Sequence, residues 1–294
     1  MNILVSGCGD VGLRIARLHS EQADQVSALT RSEKRASALQ NAGLDVLCHD
    51  LDQPLPAADV PQFNLVYMLA PPGGDGSHDP RLEHLLDWLT PNPPARFVYI
   101  STTGVYGDCA GAWVDETWPR NPQTDRARRR AAAEQKLELW SQNSACNHCI
   151  VRVAGIYGPG RLPVARLQRR EPVLVEADSP WSNRIHSDDL ARAALLMATA
   201  PTAHGIYNAC DDVPSTMTDY FNQVADVLGL PRPPQVSRAE ADKTFSPAML
   251  SFLNESRRIS NRRLRDELGL TLRYPDLATG LPACRDQTNT HITD

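Results

Sequence analysis

Three glycines spaced as G-x-G-x-x-G, Gly7, Gly9 and Gly12 of the hexapeptide GCGDVG, follow directly on the apolar run NILVSG (2–7). They open VGLRIARLHSEQ (11–22), a stretch with helical spacing. In a strand–turn–helix setting such glycines let the backbone approach a pyrophosphate at the N-terminus of the helix. Gly7, Gly9, Asp10, Val11 and Gly12 are therefore expected to hold the phosphates of a dinucleotide. The tip of the second strand decides which one. A site for NAD carries an acid there that accepts the ribose hydroxyls, whereas this chain carries Thr30, Arg31, Ser32, Lys34 and Arg35. A carboxylate repels a 2′-phosphate, and a guanidinium with a neighbouring hydroxyl binds it, so Arg31 and Ser32 point to NADP, with NAD as the alternative. Asp50 and Leu51, past the third strand, are placed to meet the adenine, and Ala70 and Pro71, past the fourth, to line the dinucleotide.

A second chemical signal is TDRARRRAAAEQ (124–135), with four arginines in five positions of a chain whose formal net charge is −5. On a helix Arg126 and Arg130, as i and i+4, share one face; Arg129 lies beside that face and Arg128 points away. A guanidinium holds its proton to a pH above about 12, so these side chains bind carboxylate or phosphate but take no proton near neutrality. A solvated arginine-rich helix face is the competing structural reading. Nucleic-acid binding needs a net basic footprint, and 30 Lys and Arg against 35 Asp and Glu argue against it.

The elements that must carry these residues alternate. Apolar runs at QVSALTR (25–31), LDVLCHDL (44–51), NLVYMLAPP (64–72), RFVYISTTGVYG (96–107) and HCIVRVAGIYG (148–158) read as strands. PRLEHLLDWL (80–89) and DRARRRAAAEQKLELW (125–140) read as helices between them. This rhythm predicts an α/β fold, a Rossmann-type doubly wound parallel sheet, with a smaller C-terminal α/β substrate lobe. Residues 1–156 are expected to form the nucleotide-binding domain, with 186–209 returning to it; 157–185 and 210–294 are expected to form the lobe. The glycine-rich APPGGDGSHDP (70–80) sits at the edge where such sheets bind ligands and could act as a lid. No leader and no apolar run of about 20 residues is read, so a cytoplasmic protein without membrane contact is expected. The seven cysteines have no disulfide pattern, and CNHC (146–149) reads as the start of a buried strand, with no metal site expected.

Taken in order, STTGVYG (101–107), WVDET (113–117), RVAGIYGPG (152–160), RIHSDDLARA (184–193) and GIYNACDD (205–212) resemble the extended short-chain dehydrogenases/reductases, the NAD(P)-dependent epimerase/dehydratase family. The resemblance implies a hydroxyl after the fifth strand, matched by Thr102, and a Tyr-x-x-x-Lys pair on the following helix. Aligned on AAAEQ, Arg126 stands at the tyrosine position and Arg130 at the lysine position, as in an atypical subgroup lacking the usual active-site residues. Tyr106, one turn from Thr102, is the nearest replacement phenol. Asp115 and Glu116 could face the substrate cleft. The family's substrate-phosphate arginine is replaced by Ser182, with Arg184 two positions on as a substitute. HSDD (186–189) reads as a strand-to-helix corner with an aspartate N-cap. The implied function is NAD(P)-dependent oxidoreductase or epimerase/dehydratase chemistry on a nucleotide-sugar-like or other small carbonyl or hydroxyl substrate, with a non-standard acid/base arrangement. A homodimer is common in the family. The alternative is a non-catalytic NADP-binding redox sensor or regulator.

Overall fold

Runs of Val, Ile, Leu and Tyr build the centre of the molecule because both faces of a parallel sheet are covered and its central strand positions are buried on both sides. The computed structural model describes residues 1–56, 60–73 and 76–286. In chain order the first part comprises β1 (Asn2–Ser6), α1 (Asp10–Ser20), β2 (Gln25–Thr30), α2 (Glu33–Asn41), β3 (Asp45–Cys48), β4 (Leu65–Met68), α3 (Pro80–Leu89), β5 (Arg96–Thr102), β6 (Trp113–Val114), α4 (Asp125–Ser144) and β7 (Asn147–Val153). The second part comprises β8 (Gly155–Tyr157), α5 (Val164–Gln168), β9 (Val173–Leu174), β10 (Trp181–Ser182), β11 (Arg184–His186), α6 (Ser187–Thr199), β12 (Gly205–Ala209), β13 (Ser215–Thr216) and α7 (Met217–Leu228). It ends with β14 (Gln235–Val236), α8 (Arg238–Thr244), α9 (Pro247–Leu253), β15 (Arg258–Ile259), α10 (Arg262–Leu268) and α11 (Leu277–Asp286).

Seven strands form one parallel sheet in the order β12-β7-β5-β4-β1-β2-β3, a Rossmann-type arrangement. Strand alternation sorts the core into two layers. Ile3, Val5, Tyr67 and Val98 pack under α1 and α6, while Leu4, Val66, Met68, Phe97 and Tyr99 pack under α3 and α4. A separate cluster of Tyr157, Leu167, Val173, Tyr220, Phe221 and Leu281 binds α7 and α11 together beyond the sheet.

One polar network fixes the helix that matters most for the site. Glu134 of α4 is fully buried and accepts hydrogen bonds from Ser101 Oγ at 2.5 Å, Arg120 Nε at 2.7 Å and Arg152 Nη2 at 2.8 Å. It thereby ties α4 to β5 and β7. Arg130 and Arg126 stand one and two helical turns before Glu134, so the same face is rotated toward the carboxyl ends of those strands. Thr124 caps the helix, its hydroxyl accepting from Ala127 N at 3.3 Å.

Two elements correct the sequence reading. The expected strand over 96–107 stops at Thr102, and Thr103–Tyr106 form a 3-10 turn because the Thr102 hydroxyl accepts the Gly104 amide at 3.1 Å. The N-cap of α6 is His186 rather than an aspartate, Nδ1 accepting from Asp188 N at 3.2 Å. No helix among the described residues is long and apolar enough to cross a membrane.

Candidate functional site

The β1–α1 turn forms one wall of a cavity of about 360 Å³. Gly7 has φ +85°, and a Cβ there would lie 2.3 Å from Ala70 N, so the backbone crossing between β1 and the end of β4 admits glycine alone. At Gly9, by contrast, a Cβ would meet no protein atom within 4 Å. Glycine there keeps cavity space clear in front of the helix N-terminus, where no side chain caps α1. That is the fit a dinucleotide pyrophosphate requires. Leu29, Thr30, Arg31, Arg35, His49, Asp50 and Leu51 complete the adenosine side of this cavity, and Ala70, Pro71 and Arg81 close it. Arg35 Nη2 donates to the Cys8 carbonyl at 3.1 Å, and Arg31 Nη1 reaches Asp52 at 3.3 Å. Arg81 donates to the same carboxylate at 2.5 Å and holds Asp52 below the usual carboxylate range.

Four residues expected at the cofactor do not form the wall. Asp10 turns back to Arg14 at 2.9 Å and toward Arg161 at 3.3 Å. Val11 is buried in the core, and Gly12 is a packing glycine whose Cβ would come within 3.2 Å of Val5 Cγ1. Ser32 caps α2, accepting from Arg35 N at 3.3 Å. Cys8, Leu29, His49 and Arg81 take wall positions instead, and no residue pattern announced them.

Pro71 also lines a second cavity, of about 580 Å³, over the ends of β5, β7 and α4. Thr102, Arg126 and Arg130 share this cavity, as the sequence anticipated, together with Arg129, Ser182 and Arg184. Segments after β8 contribute Trp181, Met217, Tyr220, Phe252, Glu255 and Arg257. Phe252 of α9 was not read from the sequence, because a short helix distant along the chain carries no local sign of what it covers.

The arginines have different surroundings. The Arg126 guanidinium lies 3.5 Å from the centroid of the Phe252 ring, and Nη2 donates to Ser251 Oγ at 3.4 Å; burial holds it below the usual guanidinium range. Arg130 Nη1 donates to the Tyr99 hydroxyl at 2.9 Å, and Arg129 Nη1 to the Gly76 carbonyl at 3.2 Å. Arg128 points outward and pairs with Asp125 at 2.7 Å. Arg184 is buried, donates to the Asn183 carbonyl at 2.9 Å and lies 4.1 Å over the Tyr220 ring; burial lowers its proton affinity also.

Tyr106 does not reach this cavity. It is fully buried, its hydroxyl donates to Asn208 Oδ1 at 2.8 Å, Arg152 lies over its ring, and burial pushes its phenol up to about 12. The turn after Thr102 directs it inward, so it is a packing residue. Asp115 and Glu116 line a different surface, where Asp115 accepts from Thr117 and Glu116 from the Asn208 amide. The stretch 70–80 reaches the mouth of the cavity at Pro71 and Pro72 and at Gly76, but Gly74 and Asp75 of the expected lid lie outside the described residues. No group of three or more His, Cys, Asp or Glu arranged to hold a metal occurs among the described residues.

Comparison with known proteins agrees with this geometry. The chain is 29% identical over 286 residues to Protein YeeZ of Escherichia coli (strain K12), covering 93% of this chain and 96% of that one. A functionally unknown conserved protein from Silicibacter pomeroyi DSS superposes with a TM-score of 0.84 at 30% identity, covering 98% and 99% of the two chains. UDP-glucuronic acid 4-epimerase from Bacillus cereus, solved with UDP-glucuronic acid and NAD, shares the fold at a TM-score of 0.77 and 17% identity, with 98% and 99% covered. The sequence profile of the NAD dependent epimerase/dehydratase family matches residues 3–210, so this chain, with its glycine-loop cavity joined to a Thr102 cavity, is an NAD(P)-binding member of the NAD-dependent epimerase/dehydratase family.

Proposed function

We propose that the protein is an NADP-dependent oxidoreductase acting on a small carbonyl or hydroxyl compound in the Thr102 cavity. The observation that carries this reading is the continuity of the two cavities through Pro71. A dinucleotide seated on Gly7 and Gly9 leads along Pro71 to Thr102 and α4. When bound, its nicotinamide supplies hydride chemistry. Arg31 and Arg35 favour the 2′-phosphate at the other end. On the ligand side Thr102 offers a hydroxyl and the arginines orient the substrate.

Acid–base catalysis from the tyrosine position, worth typically about 10²–10⁴-fold, has no provider, because Arg126 retains its proton throughout the working pH range. Proton exchange in this reading falls to wall hydroxyls such as Thr102 and Tyr220, or to water. The same loss favours a second reading, an NADP-binding sensor that holds its ligand without turning it over.

Titration of the purified protein with NADPH and NADH, followed by turnover against a panel of carbonyl compounds, separates the two. Turnover supports the enzyme; tight NADPH binding without turnover supports the sensor; failure to bind either nucleotide overturns both. Activity that emerges only in the double variant Arg126→Tyr with Arg130→Lys also supports the sensor.

A further inference from the structure

Five arginines and one glutamate line the Thr102 cavity, a surplus of four positive charges in a protein that is acidic overall. The glutamate is already committed, since Glu255 pairs with Arg257 at 2.8 Å. Among the described residues Arg126, Arg129, Arg130 and Arg184 make no ion pair. The contrast within one helix is telling. Arg128, on the outer side of α4, finds Asp125, whereas among the described residues the three arginines turned toward the cavity meet the neutral acceptors Ser251, Gly76 and Tyr99.

Each guanidinium carries five N–H donors, and the described residues engage one of Arg126 and one of Arg130. Arg129 Nε is buried with no partner among the described residues. Carboxylates lie within electrostatic reach of these groups, Asp79 of Arg130, Asp211 of Arg184 and Glu255 of Arg126, but among the described residues none forms an ion pair with them. Asp79, near Arg130, is buried with Oδ2 unpartnered, and burial pushes it above the usual carboxylate range. Asp211, near Arg184, is buried, and burial pushes it far in the same direction. The phosphates of a dinucleotide belong to the glycine loop at the other cavity, so they do not account for this charge.

We infer that the α4 face binds an anionic group of the ligand, a carboxylate or a phosphate, between Arg126 and Arg130, and that the natural ligand is a small organic acid rather than a neutral sugar or alcohol. This rests on the reading of the Thr102 cavity as the ligand site. Two guanidiniums one turn apart hold two forks of donors toward one space, the arrangement that recognises planar or tetrahedral oxyanions. Arg184 stands on the lobe side of the same cavity as a second cationic anchor. The positions from which relatives of the usual type move a proton then serve here to grip charge.

The test is calorimetry on NADPH-saturated protein with four probes: succinate, glycerol 3-phosphate, and their uncharged counterparts succinamide and glycerol. One anion is expected to bind at least about tenfold more tightly than its neutral counterpart, with affinity falling as salt rises. Succinate and glycerol 3-phosphate distinguish a carboxylate from a phosphate. Arg126→Met and Arg130→Met are each expected to weaken that anion about tenfold. The two variants are read separately, so one reports even where the other fails to fold. Equal binding of charged and neutral probes, an anion affinity that ignores both substitutions, or no anion binding at about 10 mM would overturn the inference. Repeating the anion titrations without nucleotide keeps the two claims apart, because loss of NADPH binding counts against the proposed function alone.

Discussion

The two cavities meet at Pro71 but are built in opposite ways. The glycine-loop cavity is lined by segments at or just past the ends of β1, β2, β3 and β4, joined by Arg35 of α2 and Arg81 of α3, and its floor is the glycine backbone. The Thr102 cavity is made of side chains drawn from the end of β5, from α4, from the β10–β11 segment, from α7 and from α9. A backbone cradle tolerates variation in most side chains and depends on a few glycines. A side-chain cavity can exchange its chemistry while the fold stays intact, which is how arginines come to stand at the tyrosine and lysine positions.

That contrast can be broken most severely at Glu134, which orients the arginine face. Glu134→Ala leaves Arg152 buried without its carboxylate and is expected to cost about 3–5 kcal/mol in chemical denaturation. A loss below about 1 kcal/mol would mean that the network does not hold α4 in place. On the backbone side, Gly7→Ala places a Cβ against Ala70 N at a positive φ and is expected to destabilise by about 2–3 kcal/mol and abolish nucleotide binding. Unchanged NADPH affinity would show that this crossing is not part of the cradle.

Arg31→Asp sharpens the comparison without disturbing the fold, because the side chain is largely exposed. It is expected to weaken NADPH by about ten- to a hundredfold and to change NADH little, read as a ratio of dissociation constants. Equal losses for both nucleotides would remove the assignment of the 2′-phosphate. The smallest effect concerns Asp211, whose folded carboxyl keeps its proton to higher pH than the unfolded chain does. Below the unfolded value of about 3.9 both states are protonated and the burial penalty is absent; as pH rises through the folded value, stability is lost. Asp211→Asn is therefore expected to stabilise the protein more at about pH 8 than at about pH 4, and a gain independent of pH would contradict that ionisation.

The glycine loop, the strand–helix alternation and the identity of the charged tip after β2 were legible because each is a local pattern: a turn needs glycine where φ is positive, and a covered strand needs an unbroken apolar run. The i and i+4 relation of Arg126 and Arg130 was equally local. Tyr106 was misread because its direction depends on one hydrogen bond from Gly104 to Thr102, which ends the strand early and turns the ring inward. That Asp10 reaches Arg161 was not legible, because Arg161 lies far along the chain.

By itself, then, the amino-acid order determined a dinucleotide cradle, the sheet behind it and a helix face that cannot exchange protons. Tertiary structure alone decided that Phe252 and Arg184 close the same cavity, that Tyr106 is sealed away from it, and that among the described residues the inward arginines form no ion pair while the outward one pairs with Asp125. The reason is range: backbone conformation and periodicity are set by near neighbours, whereas burial and charge pairing depend on which distant segments the folded chain brings together.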